Sequence, residues 1–286
     1  MGVDYREWQP PAALQDRLRC AWRLRDARPD GAPQVVYPDG CCELIVHLGR
    51  PMQRWQAGQW QDQAQRLFAA QQRSAIRLRA CGPLDCMGLR LQPWAGARLA
   101  GDALPGLVDQ VVDLNRLRPD GGAEFAALMA ELLEAEASDP RWQRLDALLG
   151  QADVPRRLRQ AVERLVGSDG SQRIDALALA CGLPLRTLQA QFPRWVGLSA
   201  KEFARVLRLQ ATLRALDAGD QALAELALAS GFSDQAHATR ELRRLTGLTP
   251  ARLLQALRED RDRDGTVAMA AAFIRGEGSS QAGTAE

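Results

Sequence analysis

The sequence predicts an α+β chain, with a β-rich N-terminal domain followed by an all-α domain made of a repeated helical unit. Three observations lead there. The first hundred of the 286 residues hold short β-rich runs broken by turn residues. After Pro93 the apolar residues recur at helical spacing instead. From Pro155 onward the helical text repeats itself at an offset of about fifty residues. The expected divisions are 1–118 for the β-rich domain, 119–150 for a helical connector, 151–258 for the repeated unit and 259–286 for a charged, then disordered, tail.

Each element has a local reason. Residues 34–48 read as two β-rich runs around Pro38-Asp39-Gly40, where Pro presets φ, Asp caps the turn and Gly takes the left-handed position, so a hairpin is expected. Further strands are expected at 76–80 and 87–92, and at 20–25 from a weaker pattern. Helical spacing marks 94–101, 107–114, 121–137 and 141–149. Pro155 suits the start of a helix whose stripe is Leu158, Val162, Leu165 and Val166. Ser199 with Glu202 forms a capping box, Gly219 ends the long helix that Ser199 opens, and Ser233 can cap another.

Composition narrows the class. With 25% charged and 46% hydrophobic residues the chain is ordinary globular protein, not collagen-like, disordered or coiled-coil. The longest apolar run, 267–274, is far short of the ~20 residues that span a bilayer. The polar start Met1-Gly2-Val3-Asp4-Tyr5-Arg6-Glu7 has no apolar signal region, so a soluble cytoplasmic protein without a membrane partner is expected. The net charge of +2 is uneven: residues 151–257 carry 15 basic and 10 acidic side chains, a net +5 that suits a polyanionic partner.

Six cysteines, Cys20, Cys41, Cys42, Cys81, Cys86 and Cys181, show neither zinc spacing nor an oxidising context, and are expected to be reduced, buried, small hydrophobes. No GxSxG, HExxH or phosphate-cradling glycine loop is present, so no enzyme, cofactor or metal is expected. Asp39, Glu43 and His47 could line a pocket in the N-terminal part, as could Trp22, Trp55, Trp60 and Trp94, but core or rim packing explains them better, so no ligand residue is named.

The repeat points to function. Leu177-Ala-Leu-Ala-Cys-Gly182-Leu183 recurs as Leu226-Ala-Leu-Ala-Ser-Gly231-Phe232, and Gly197-Leu198-Ser199-Ala200 recurs as Gly247-Leu248-Thr249-Pro250. Each copy holds a short apolar helix, a turn with Gly and a second helix, which is the helix-turn-helix pattern whose second helix enters the DNA major groove. Packing alone would explain one such segment, but two copies joined by one helix on a basic stretch favour DNA.

These residues resemble the AraC/XylS type of DNA-binding domain. The likeness runs from Ile174 through Leu177-Ala178, Gly182-Leu183, Leu188, Phe192, Gly197-Leu198-Ser199 and Arg208-Leu209, then Leu226-Ala227, Gly231-Phe232-Ser233-Asp234-Gln235-Ala236-His237, Arg240 and Gly247-Leu248-Thr249-Pro250, about residues 155–257. Upstream, 36–46 and Gly88-Leu89-Arg90-Leu91-Gln92-Pro93 resemble two motifs of an uncharacterised sensor-like domain that often precedes such units.

The resemblance implies a regulator that responds to a small effector and binds double-stranded DNA, with RNA polymerase as a further partner and dimerisation through the N-terminal half. Arg186, Thr187 and Gln189 on the first recognition helix, and Gln235, His237, Thr239 and Arg240 on the second, are the candidate DNA contacts. Leu177, Leu188, Phe192, Trp195, Leu226 and Phe232 belong to the core. The first helix departs from the pattern: Pro184 stands for a capping Ser, Ala190 for a basic residue, and Pro193 is expected to end the helix early. Ala238 and Leu242 replace the family's usual Phe. The second helix should therefore read DNA more strongly. The alternative is an adaptor whose degenerate unit binds a protein partner, separable from a DNA reader by salt dependence.

Overall fold

In a computed structural model describing residues 4–119, 122–132, 139–149, 153–218 and 235–262, the N-terminal part is two antiparallel sheets. Strands β1 (Asp4–Trp8), β2 (Leu18–Asp26), β4 (Glu43–His47), β7 (Arg66–Ala69), β9 (Leu84–Leu91) and β10 (Val111–Asp113) build a six-stranded sheet ordered β1-β2-β9-β4-β7-β10. Strands β3 (Gln34–Val36), β5 (Gln53–Gln56), β6 (Gln59–Asp62) and β8 (Ile76–Arg79) form the second, ordered β3-β8-β5-β6.

Alternation along the strands sorts residues between the faces of the larger sheet. Met87, Leu89 and Leu91 of β9, with Leu44 and Val46 of β4, join the core shared with the helices. Leu84 and Cys86 of β9, with Cys20, Trp22 and Leu24 of β2, pack instead with Leu78 of the smaller sheet. Gly88 lies directly opposite Trp22, and a Cβ there would stand 2.3 Å from the indole ring.

After the 3-10 helix Gly101–Leu107, where a continuous helix over 107–114 was expected, come β10 and the short α2 (Leu114–Leu117). Val111 and Val112 prefer the sheet edge beside β7, and Asp113 caps α2 by accepting from the Asn115 amide at 2.9 Å. The other expected helices are present as α1 (Gly96–Ala100), α3 (Gly122–Leu132) and α4 (Arg141–Leu149), with 133–138 outside the described residues.

The helical unit comprises α5 (Arg156–Gly167), α6 (Ile174–Ala180), α7 (Leu185–Val196), α8 (Ala200–Ala218), α9 (Gln235–Thr246) and α10 (Pro250–Asp262). Gly182, at φ 62°, makes the turn between α6 and α7. The capping box forms as expected: the Glu202 amide donates to Ser199 Oγ at 3.2 Å and the Ser199 amide to Glu202 Oε2 at 3.0 Å. Ser233, Gly219, Leu226 and Phe232 lie outside the described residues. The last helix runs to Asp262, so the charged run begins inside it.

Two expectations need correction. Pro193 does not end its helix: α7 continues to Val196 and closes where the Gly197 amide donates to the Pro193 carbonyl at 2.8 Å. A proline removes one hydrogen bond, to the carbonyl of residue 189, and that residue is exposed, so water can serve its carbonyl. Phe192 and Val196, fully buried, hold the turn around it.

The 38–40 turn makes no hairpin either. Its chemistry is as expected, with the Cys41 amide donating to Asp39 Oδ1 at 2.9 Å and Gly40 at φ 81°. But β3 pairs with β8, while β4 pairs with β7 and β9. The turn is a corner between sheets, and its outer side is covered by the helical unit rather than by water. Gln210 of α8 donates to the Pro38 carbonyl at 2.7 Å, and a Cβ on Gly40 would be 2.8 Å from the Phe203 ring of α8.

One continuous core accordingly runs from Leu14 of the N-terminal part to Leu207 of α8. A second core gathers Leu209, Leu213 and Leu216 of α8 with Leu242, Leu245, Leu253 and Leu257, and the corner's Tyr37 is inserted among them.

Gly88→Ala is expected to destabilise the fold by about 1–3 kcal/mol, the usual cost of overpacking. Denaturant midpoints would measure the loss, and a displaced Trp22 should change the fluorescence.

Candidate nucleic-acid interface

The two helices expected from the sequence to read DNA are α7 and α9, each of 12 residues and in register at an offset of 50. On α7, Pro184 sits at the N-cap without a side-chain cap bond. Arg186 and Gln189 are exposed on one face with Ala190, and Thr187 is half-buried beside Leu188, which is fully buried. Leu177 and Phe192 are fully buried too, and Trp195 is partly buried.

On α9, Arg240 is exposed, while His237 and Thr239 are half-buried. Gln235 is the first residue of the helix, and its side chain lies outside the described residues. Ala238 and Leu242, which replace the family's Phe, face the core. The neighbouring Glu241 is occupied elsewhere, with Arg205 of α8 at 3.2 Å and Arg244 at 3.3 Å. Arg240 makes no ion pair among the described residues.

Arg243, exposed three residues after Arg240, shares its face and was not singled out from the sequence; the i, i+3 spacing was the available signal. On the first helix the corresponding residue is Pro193, and the next cation, Arg194, pairs with Asp102 of the N-terminal part at 2.8 Å. The second helix thus offers more unengaged positive charge than the first.

Both helices are seated on the N-terminal part by their C-terminal ends. α7 packs against the 3-10 helix and α1. The Leu245 carbonyl, near the end of α9, accepts from the Ala75 amide at 2.6 Å. Their N-terminal halves, where Arg186, Gln189 and Arg240 are exposed, face away from these contacts.

Between the two sheets lies a cavity of about 70 Å³. Alternation along β4 turns Glu43, Ile45 and His47 into it, and the corner adds Tyr37, Pro38 and Asp39. The structure thus brings together Asp39, Glu43 and His47, and adds Arg90, which the sequence reading did not single out. Arg90 Nε lies 3.0 Å from Glu43 and 3.3 Å from Asp39, and Trp22 Nε1 donates to Glu43 at 3.3 Å. Burial pushes the Glu43 carboxyl up against the pull of Arg90, while Arg90 stays charged despite its burial because both carboxylates hold it so.

Of the other tryptophans, Trp55 and Trp60 meet edge-on at 5.3 Å on the smaller sheet, and Trp94 donates to the Asp16 carbonyl at 2.9 Å. All six cysteines are free, and burial pushes the Cys41 thiol up to about 12, which fits an unreactive hydrophobe.

His47 is 2% exposed, and neither ring nitrogen has a hydrogen-bond partner among the described residues. The Gln63 side chain beside the ring favours the charged form slightly but falls short of hydrogen-bond geometry. Burial dominates and lowers the imidazole to about 4, so the ring is neutral at pH 7.

Comparison with known proteins matches two parts of the chain. Residues 177–256 match the family described as a helix-turn-helix domain, and residues 6–113 match a domain of unknown function, DUF6597. The HTH-type transcriptional activators RhaS of Pectobacterium carotovorum subsp. carotovorum and of Pectobacterium atrosepticum are each 32% identical over 100 residues, covering 33% of this chain and 36% of each relative. The chain therefore matches about a third of their length. A structure of ToxT from Vibrio cholerae is similar with a TM-score of 0.45 at 9% identity, over 89% of this chain and 98% of that one. The AraC-like transcriptional activator CuxR gives a TM-score of 0.31 at 15% identity, over 73% of this chain and 86% of that one.

Residues 177–256 thus match a helix-turn-helix domain and residues 6–113 a domain of the DUF6597 kind. Among the described residues, no helix is long and apolar enough to cross a membrane.

The neutral His47 has a consequence for acid stability. The unfolded chain protonates this imidazole below about pH 6.5 whereas the folded chain resists until about 4, so stability present above 6.5 is lost as the pH falls. The expected loss is on the order of 2–3 kcal/mol by about pH 4.5. Denaturant midpoints at that pH and at pH 7 should differ less in His47→Phe than in the wild type.

Proposed function

We propose that the chain is a sequence-specific regulator that sets α7 and α9 in successive major grooves of double-stranded DNA and responds to a small effector in its N-terminal domain. One observation carries the DNA-binding reading: two helices of equal length, in register and joined by α8, present polar or cationic side chains on their uncovered N-terminal halves. Arg186, Thr187 and Gln189 would contact DNA from α7, and Gln235, His237, Thr239 and Arg240 from α9. Residues 151–258 would form the DNA-binding unit, 1–118 the effector domain and 119–150 the connector. The two relatives' description as activators favours activation, hence contact with RNA polymerase, in the cytoplasm. Dimerisation through the N-terminal half would place two such units on one operator.

Arg240→Ala is expected to weaken operator binding by about 1–3 kcal/mol, the scale of one bidentate base contact. Melting temperature should hardly move, because the side chain is exposed and unpaired within the described residues. Normal affinity in this variant would mean that Arg240 does not face DNA.

The asymmetry between the helices now rests on charge rather than on length. Ala190 is exposed and stands opposite Arg240 at the offset of 50, so Ala190→Arg should restore a missing cation. Binding should tighten, and the slope of log K against log salt should steepen by about 0.9. Titrations at three salt concentrations, with each half-site scrambled in turn, would test this. Equal damage from scrambling either half-site would refute the asymmetry, and salt-independent binding to a protein would favour the adaptor reading.

A further inference from the structure

The cavity between the sheets is more than a packing gap. Its walls are mainly apolar, with Ile45, Met52 and Leu78 among them, yet the His47 ring in that wall has no hydrogen-bond partner among the described residues. A neutral imidazole carries one donor and one acceptor nitrogen, and leaving both unmade in a buried site is costly. The charges nearby are already matched: Arg90 is held by Asp39 and Glu43. An anionic ligand would add a third negative charge beside two carboxylates. An uncharged ligand with a hydroxyl or carbonyl would satisfy His47 and leave that network intact.

The walls have a second property. The segment contributing Tyr37, Pro38 and Asp39 to the cavity is the one whose Tyr37 enters the core of α8, α9 and α10 and whose Pro38 carbonyl takes the Gln210 bond. The segment contributing Ala70, Gln72 and Ile76 holds Ala75, whose amide binds the Leu245 carbonyl of α9. Two of the segments that line the cavity therefore also touch helices α8 to α10.

We infer that this cavity binds a small uncharged molecule, apolar over most of its surface, with one hydroxyl or carbonyl bonded to His47, and that occupancy reaches α9 through segments 37–39 and 70–76. The inference rests on the effector-responsive reading above and supplies its ligand class and route. An engineered apolar cavity roughly twice as large accepts the six heavy atoms of benzene, so a ligand of about three heavy atoms fits the walls as they stand and a slightly longer one fits with small shifts of the lining side chains.

The chain has two histidines, His47 and His237, so the imidazole spectrum of the 15N-labelled full-length protein has two spin systems, assigned with His47→Phe. Titration with 1-butanol should shift the His47 nitrogens saturably, whereas butyrate at the same concentrations should not. His47→Phe should weaken butanol binding about fivefold, the worth of one neutral hydrogen bond, read at the Trp22 indole N–H. Butanol should also change the protein's affinity for its upstream DNA, and Gln210→Met, which removes the bond to Pro38 but leaves that of Ala75 to Leu245, should reduce that change while leaving the His47 shift.

No saturable shift, or an equal shift with butyrate, overturns the site. A full shift with unchanged DNA affinity overturns the route. A protein that takes up butanol but binds no DNA at any butanol concentration removes the regulator reading and leaves the binding site standing.

Discussion

The seat of the 37–40 corner on α8 is the contact on which the rest of the structure depends. A corner between two sheets turns its carbonyls away from both ladders, so they need partners from elsewhere. Two buried side-chain amides supply them: Gln210 donates to the Pro38 carbonyl and Gln71 to that of Gly40, both at 2.7 Å. Residue 40 must be glycine twice over, for its φ of 81° and for the approach of the Phe203 ring. The corner can therefore keep its shape only with α8 in place, and α8 buries its inner face only with the corner in place.

The same corner organises the charges of the cavity. Asp39 caps the turn through the Cys41 amide and also faces Arg90 on β9, which in turn holds Glu43 on β4. Removing Arg90 would leave both carboxyl groups without their cation, at a cost of about 3–5 kcal/mol in comparable buried pairs. The network thus fixes the corner relative to both strands. It also gives the cavity a polar face whose charges are paired, whereas both ring nitrogens of His47 are without a hydrogen-bond partner among the described residues.

How much of this could be read from the sequence follows from how local each cause is. The helical repeat was legible because its spacing, its Gly turns and the Ser199–Glu202 box are all set within a few residues. The turn chemistry at 38–40 was legible for the same reason. Its role as a corner was not, because pairing of β3 with β8 and of β4 with β9 depends on segments forty residues away. Strands β5 and β6 carry polar, half-exposed sequences, Gln-Arg-Trp-Gln and Gln-Trp-Gln-Asp, without an apolar alternation to flag them. Pro193 misled because a local rule, that proline ends a helix, yielded to the burial of Phe192 and Val196 on either side. In the cavity, Asp39, Glu43 and His47 share a legible i, i+4, i+8 spacing, but Arg90 comes from a distant strand and Gln210 from another domain.

These long-range contacts bear on how the two recognition helices are held relative to each other. The helix α8 joins them along the chain, but a second link runs through the loop after β7. Gln71 of that loop lies against Gly197, at the end of α7, and Ala75 four residues on binds the carbonyl of Leu245, near the end of α9. A single short loop of the N-terminal part thus touches the C-terminal ends of both helices and leaves their N-terminal halves uncovered. On the proposed function, two helices set in successive grooves of a rigid duplex would need a fixed separation, and a flexible joint between them would cost ordering entropy on binding. The loop supplies that constraint from outside the helical unit, and its neighbours Ala70 and Gln72 line the cavity. Anything that shifts the loop would therefore alter the spacing of both helices at once, with no movement needed within either helix.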